Sequence, residues 1–227
     1  MSQPVESQGK RVLVIDVGGT NVKLFVTGGD APRRFPSGKK MTPDLMVSGV
    51  KEAANGWSWD VVSVGVPAPV RGGRPVVEPH NLRPGWVDFD FAAAFGCPVK
   101  VINDAAMQAI GSYQGGTMLF LGLGTGLGSA LIVNGMVVPM ELAHLPWRKG
   151  TFEDYLGARG LEKRGKREWR NLVADVVERF TSALFLDDVV LGGGNAKELK
   201  DLPPGCRLGN NAHAFEGGFR LWRSPGE

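Results

Sequence analysis

Apolar residues along this chain come in short runs, and most of the runs are closed by glycine. RVLVID over 11–16 is followed by Gly18-Gly19 and then by NVKLFV over 21–26. A β-rich run, a glycine turn and a second run predict a hairpin. Pro43 followed by DLMVSGVKEAAN predicts a helix that starts with proline and stops near Gly56. DVVSVGV over 60–66 and VKVI over 99–102 predict buried strands. Between them, Pro67 to Pro84 is rich in proline and glycine, too irregular for an element and long enough to suggest function. Asn103 is placed to cap a helix starting at Asp104 (DAAMQAIGS).

The second half repeats the plan. MLFLGL over 118–123 predicts a strand, GTGLG a turn and SALIV a strand, and Asn134-Gly135 has the turn chemistry for a further hairpin. A long helical zone follows from Phe152 to Leu184. After it come a strand at Asp188–Leu191, a Gly192-Gly193-Gly194 turn and a last helix from Asn211 to Leu221. This order predicts an α/β chain of two lobes, 1–103 and 104–227, with the final helix (about 211–227) free to pack back on the first. The alternative is one α/β domain with two unrelated hairpins.

Composition narrows the classes. A chain of 227 residues exceeds the commonest domain size and buries roughly 70% or more of its unfolded surface, so it needs no staples. The 33 glycines are about twice what the usual ~7% gives, and they cluster between apolar runs as turns do. A net charge of +3 gives no ground for a nucleic-acid partner and suits an anionic substrate. Cys97 and Cys206 have no metal-type spacing and fit a reducing compartment. The start, MSQPVESQGK, is polar without a signal-peptide apolar core. No run approaches the ~18 apolar residues of a membrane span. These features predict a cytoplasmic protein without membrane contact.

Two glycine turns have phosphate-binding chemistry. In Asp16-Val17-Gly18-Gly19-Thr20-Asn21-Val22-Lys23 the missing Cβ atoms let backbone N–H groups approach an anion. Thr20 adds a hydroxyl, and Asp16 suits Mg2+ through water. The second turn is Gly122-Leu123-Gly124-Thr125-Gly126-Leu127-Gly128. The absence of GK[ST] excludes a P-loop. GxGxxG fails in every register of the second turn, and an apolar strand follows it, which argues against a dinucleotide site.

IDVGGTNVK resembles the first phosphate motif of actin-like sugar kinases, GLGTGLGSALI their second and VVLGGGNA their adenosine motif, while VINDAAMQAIG resembles the connecting helix that carries the catalytic aspartate. The matches run in the family's order over nearly the whole chain. They resemble most the bacterial ROK kinases, and among these the polyphosphate glucokinases. The resemblance implies the two-lobed actin-like ATPase (ribonuclease H-like) fold, with a cleft between lobes, and transfer of a phosphoryl group from ATP or polyphosphate to a hexose hydroxyl.

By that resemblance Asp104 is the base that takes the hydroxyl's proton, in an ionised form that a helix N-terminus favours. Asn81, Asn103, Glu141, His144 and Glu153 bind the sugar. Asp16, Gly18, Gly19, Thr20, Lys23, Gly124, Thr125, Gly126, Gly193 and Gly194 hold phosphate or nucleotide, with Mg2+ on Asp16 through water. Trp86, in NLRPGW, reads better as core. The chain departs from many ROK kinases in lacking any cysteine between Cys97 and Cys206, so a thiolate zinc site cannot form beside His144. It also has Ala143 where the family favours glycine. The basic stretch from Arg159 to Arg170 is either a solvated helix face or a guide for a polyanion. Dimers are common in the resembling family, so a homodimer is one of the partners it allows, and the sequence leaves the oligomeric state open. Rival readings are a non-catalytic sugar or nucleotide sensor and a kinase for mannose or an N-acetylated amino sugar. A regulator with a DNA-binding module is disfavoured, since only about ten residues precede the first strand.

Overall fold

A computed structural model describes residues 9–210 and 212–223. The polar start over 1–8, and positions 211 and 224–227 of the anticipated last helix, lie outside them.

The first half runs β1 (Val12–Val17), β2 (Asn21–Val26), β3 (Arg33–Pro36), α1 (Pro43–Ala53), β4 (Val61–Val66), β5 (Val70–Arg71), β6 (Arg74–Pro75), α2 (Phe91–Phe95) and β7 (Val99–Asn103). After α3 (Asp104–Ser112) come β8 (Thr117–Leu123), β9 (Leu127–Val133), β10 (Met136–Pro139), β11 (Pro146–Trp147), β12 (Gly150–Thr151), α4 (Phe152–Leu156) and α5 (Ala158–Leu184). The chain closes with β13 (Asp188–Gly192), β14 (Cys206–Leu208) and α6 (His213–Arg220).

Two five-stranded sheets have the same order, β3-β2-β1-β4-β7 and β10-β9-β8-β13-β14. In each, the first three strands form an antiparallel meander and the other two add in parallel. The continuous apolar runs became the strands with both faces covered: every residue of β1 and β4 is buried. NVKLFV alternates and became β2, with every second residue buried. Asn134 and Gly135 both take positive φ and close the β9–β10 hairpin, as a primed turn requires.

Some boundaries differ from the sequence pattern. The second glycine turn is shorter than GTGLG, because Leu127 and Gly128 already pair with Leu123 and Gly122. The helical zone from 152 is interrupted at Gly157 and again at Gly165, whose φ of 73° is non-helical. The short elements β3, α2 and β14 carry too few residues to show a period.

Between the sheets lies α3, which packs on β8, β9, β4 and β7, and against α6. In turn α6 covers β1 and β4, so the last described helix lies on the first sheet. Two glycines in α6 permit this. A Cβ on Gly217 would lie 2.8 Å from Met107 C and 3.0 Å from Gly111 N, and one on Gly218 would strike the Val14 side chain. Ser63 Oγ, buried in β4, donates to Gly218 O at 2.7 Å and accepts from Trp222 Nε1 at 2.9 Å.

Gly217→Ala tests this packing. Helix propensity alone would favour alanine by about 1 kcal/mol, whereas overpacking costs about 1–3 kcal/mol. We expect the overpacking to win and the melting temperature to fall by several degrees in thermal denaturation; an unchanged or higher value would mean the two helices are not in close contact.

Candidate active site

The first turn of α3 packs between strands of the two sheets. Gly65 in β4 and Gly128 in β9 face it from opposite sides. A methyl group on Gly65 would lie 3.4 Å from Asp104 Cα, and one on Gly128 would lie 2.9 Å from Ala105 Cβ. Neither glycine has a positive φ, so both serve by leaving space. Asn103 fixes the helix start: its Oδ1 accepts from Ala106 N–H at 3.1 Å, and its Nδ2 donates to Ala68 O at 3.2 Å. That leaves one N–H and one lone pair of the amide for anything else.

Asp104 keeps a half-buried surface, with protein packed around the rest of its carboxyl. Burial is the largest influence on that group and pushes it up from 3.8 to about 7; the charges of Asp16 and Glu141 push the same way, and the backbone N–H groups of Ala105 and Asp104 oppose them. The ionised form expected from the helix N-terminus is therefore not favoured. A helix dipole contributes roughly 0.3–1 kcal/mol, less than one pKa unit at about 1.4 kcal/mol, and burial outweighs it. Asp16, buried in β1, is also raised by burial, against the pull of Lys23, whose Nζ lies 3.2 Å from Asp16 Oδ2. Asp16 in β1 and Glu141 beyond β10 thus both act on Asp104 in α3.

The first glycine turn is held from β3 onward. Gly18 N–H donates to Asn21 O at 3.0 Å, Ser37 Oγ donates to Gly18 O at 2.5 Å, and Ser37 N–H donates to Thr20 O at 2.9 Å. Gly19 and Thr20 stay exposed, and Asn81 lies against Gly19, where an added Cβ would meet its Cβ at 3.4 Å. The second and third turns form one unit. Gly193 takes φ 83°, and a Cβ there would lie 2.5–2.7 Å from Leu123 backbone atoms. Asn195 N–H donates to Leu123 O at 2.8 Å, and its Nδ2 donates to Gly124 O at 2.9 Å. Thr125 is exposed, and Gly194 has nothing near the position of a Cβ.

Glu153 joins the second turn to the segment carrying Glu141 and His144. Its N–H donates to Ala143 O at 3.0 Å, while its Oε2 accepts from Leu127 N–H at 3.2 Å, in space that Gly126 leaves free. His144 is exposed, and its ring meets the ring of His80 edge-on. Trp86 is wholly buried and belongs to the core of the first half. The basic stretch is divided: Arg159 faces Glu153, Arg164 lies over the Tyr155 ring, and Lys166 and Arg170 both hold Glu198. Lys163 and Arg167 have no ionic partner among the described residues. No group of three or more His, Cys, Asp or Glu is placed to hold a metal ion, again among the described residues.

The sequence matches the ROK family over residues 12–139. The chain belongs to the ROK family. It is 27% identical over 206 residues to the polyphosphate glucokinase of Mycobacterium tuberculosis, the alignment covering 81% of this chain and 77% of that protein. The inorganic polyphosphate/ATP-glucomannokinase of Arthrobacter sp. strain KM superimposes with a TM-score of 0.78 at 25% identity, over 94% of this chain and 98% of that one. A ROK family glucokinase from Streptomyces griseus, solved with glucose and AMPPNP, gives a TM-score of 0.75 over 94% and 99% of the two chains. Its 17% identity bears on the fold alone. The fold is that of the actin-like ATPases, as expected from the glycine motifs.

In this ROK chain four residues that shape the site were not singled out from sequence. Ser37 and Asn195 tie the glycine turns, Glu78 accepts three backbone N–H groups beneath the loop carrying Asn81, and His80 meets His144. Asn195 stands within the GGGNA run, and only there did a motif hold a usable signal.

The raised pKa of Asp104 has a stability consequence with a definite sign. The folded state binds that proton more tightly than the unfolded chain. Its contribution is therefore fully present below about pH 4 and is lost as pH rises through about 7. Asp104→Asn is expected to melt at a higher temperature than the native chain at about pH 8, and no higher at about pH 4. Equal melting temperatures at both values would mean that the carboxylate is well solvated.

Proposed function

We propose that this chain is a hexose kinase that transfers a phosphoryl group from ATP or inorganic polyphosphate to a sugar hydroxyl, the 6-hydroxyl of glucose being the acceptor. The observation that carries this reading is the half-buried carboxylate of Asp104, tuned to about 7 at the junction of two glycine-turn sheets. A general base works best with a pKa near the operating pH. The named activities of the mycobacterial and Arthrobacter relatives support the choice of donor and acceptor.

In this reading the two halves, 1–103 and 104–227, act as lobes that close over the substrates and exclude water, which would otherwise compete as acceptor. The turns at Gly18–Thr20 and Gly124–Gly126 hold the donor's phosphates through the backbone N–H groups of Gly19, Thr20, Thr125 and Gly126, those of Gly18 and Gly124 being engaged within the turns, and through the Thr20 and Thr125 hydroxyls, while Lys23 adds charge. Gly193 and Gly194 border the nucleoside when ATP is the donor. Asn81, Asn103, Glu141, His144 and Glu153 orient the sugar. As the hydroxyl oxygen forms its bond to phosphorus and the donor's bridging P–O bond breaks, the hydroxyl proton passes to the Asp104 carboxylate. Asp16 fits Mg2+: it is a buried hard oxygen donor with one oxygen still free of Lys23, and Mg2+ is commonly held by one carboxylate, water and substrate phosphates. That ion would neutralise charge on the phosphates.

A coupled assay offering ATP or polyphosphate with glucose, mannose and N-acetylglucosamine tests the reading, glucose phosphorylation being the expected result; no turnover of any hexose with either donor would overturn it. Asp104→Asn is expected to lower kcat by at least ~10²-fold and to change sugar affinity little. In the native chain, kcat/KM is expected to fall about tenfold per pH unit below about 7. A flat profile down to about pH 5 would remove Asp104 from the role.

A further inference from the structure

Between β4 and α2 the chain passes beside the first glycine turn, and two anchors fix it there. Glu78 turns inward, its carboxylate accepting from the N–H groups of Gly85 at 3.0 Å, Trp86 at 2.9 Å and Val87 at 3.4 Å. Leu82 and Trp86 are buried in the core beneath. Between these anchors Pro79 is buried, and His80 and Asn81 are exposed. Asn81 packs on Gly19 of the first glycine turn. The His80 ring reaches the other half of the molecule and meets the His144 ring edge-on, with centroids 5.5 Å apart. His144 follows Glu141 by three residues, and the charge of Glu141 acts on Asp104.

Of the chain's three histidines, only His213 hydrogen-bonds to protein among the described residues. His80 and His144 therefore stand side by side at one rim of the site, one from each half, with their ring nitrogens unused. A neutral imidazole offers one donor and one acceptor, as a sugar hydroxyl does, so two adjacent imidazoles match two neighbouring hydroxyls. Metal binding is the weaker use of the pair, since no third ligand joins it among the described residues.

We propose that His80 is a further sugar-contacting residue, binding a hydroxyl next to the one that His144 binds, so that the acceptor is read from both sides of the cleft. This rests on the hexose-kinase reading above. The ligand is a hexopyranose with adjacent free hydroxyls. A sugar lacking one of them is discriminated against because a nitrogen of the pair loses its partner.

The test is a comparison of the native chain with His80→Ala and His80→Gln, measuring kcat, sugar KM and donor KM over glucose and a series of monodeoxyglucoses. His80 is exposed, so neither variant threatens folding, and thermal melts check this. His80→Ala is expected to raise the glucose KM about 5- to 10-fold, the worth of one hydrogen bond, and to leave kcat and donor KM within about twofold. His80→Gln, which keeps a donor and an acceptor, should recover part of the loss. For one deoxyglucose, the sugar lacking the contacted hydroxyl, native and His80→Ala chains should have the same KM. An unchanged glucose KM, or an equal penalty on every deoxy sugar, overturns the inference and leaves the kinase reading standing. A native chain that phosphorylates no hexose overturns both.

Discussion

Burying the carboxylate of Asp104 between two sheets is the constraint that the rest of the molecule accommodates. A carboxylate out of water is costly unless other groups compensate, and here only its own first-turn N–H groups do so, while Asp16 and Glu141 add repulsion. The arrangement is possible because the helix start is fixed independently, by Asn103 at the cap and by Gly65 and Gly128, which let β4 and β9 approach. A side chain at either glycine would push its strand away from the start of α3.

The same logic governs the turns. Conformation demands glycine at Gly193, where φ is positive and the Leu123 backbone is within contact. At Gly19 and Gly194 no positive φ is involved, and the position of a Cβ faces the Asn81 side chain and open space respectively. Hydrogen bonds from Ser37 and Asn195 hold the turns, and Gly19, Thr20 and Thr125 stay exposed.

Kinship with polyphosphate-using ROK kinases sets the basic stretch of α5 in a different light. Lys166 and Arg170 clasp Glu198, Arg164 rests on Tyr155 and Arg159 faces Glu153. Much of that charge therefore joins α5 to its neighbours and orders the region beside the third turn. Lys163 and Arg167, without an ionic partner among the described residues, are a small surface feature, and long-range attraction of a polyanion by two exposed charges is readily screened by salt.

Period and turn chemistry alone determined a good part of this protein. Continuous apolar runs gave β1 and β4, the 103–104 pair gave a capped helix, and Asn134-Gly135 gave a hairpin, because each depends on contacts within a few residues. The order of the glycine motifs also revealed the family. The meeting of the two halves around α3 belonged to the tertiary structure. Nothing local to Gly65 and Gly128 marks them as the residues that admit α3, and nothing local to His80 marks it as the partner of a histidine 64 positions away. The charge state of Asp104 was decided there too. A helix N-terminus read from sequence favours the anion, but desolvation and like charges arise only when distant segments pack around the group, and at that range they are the stronger effect.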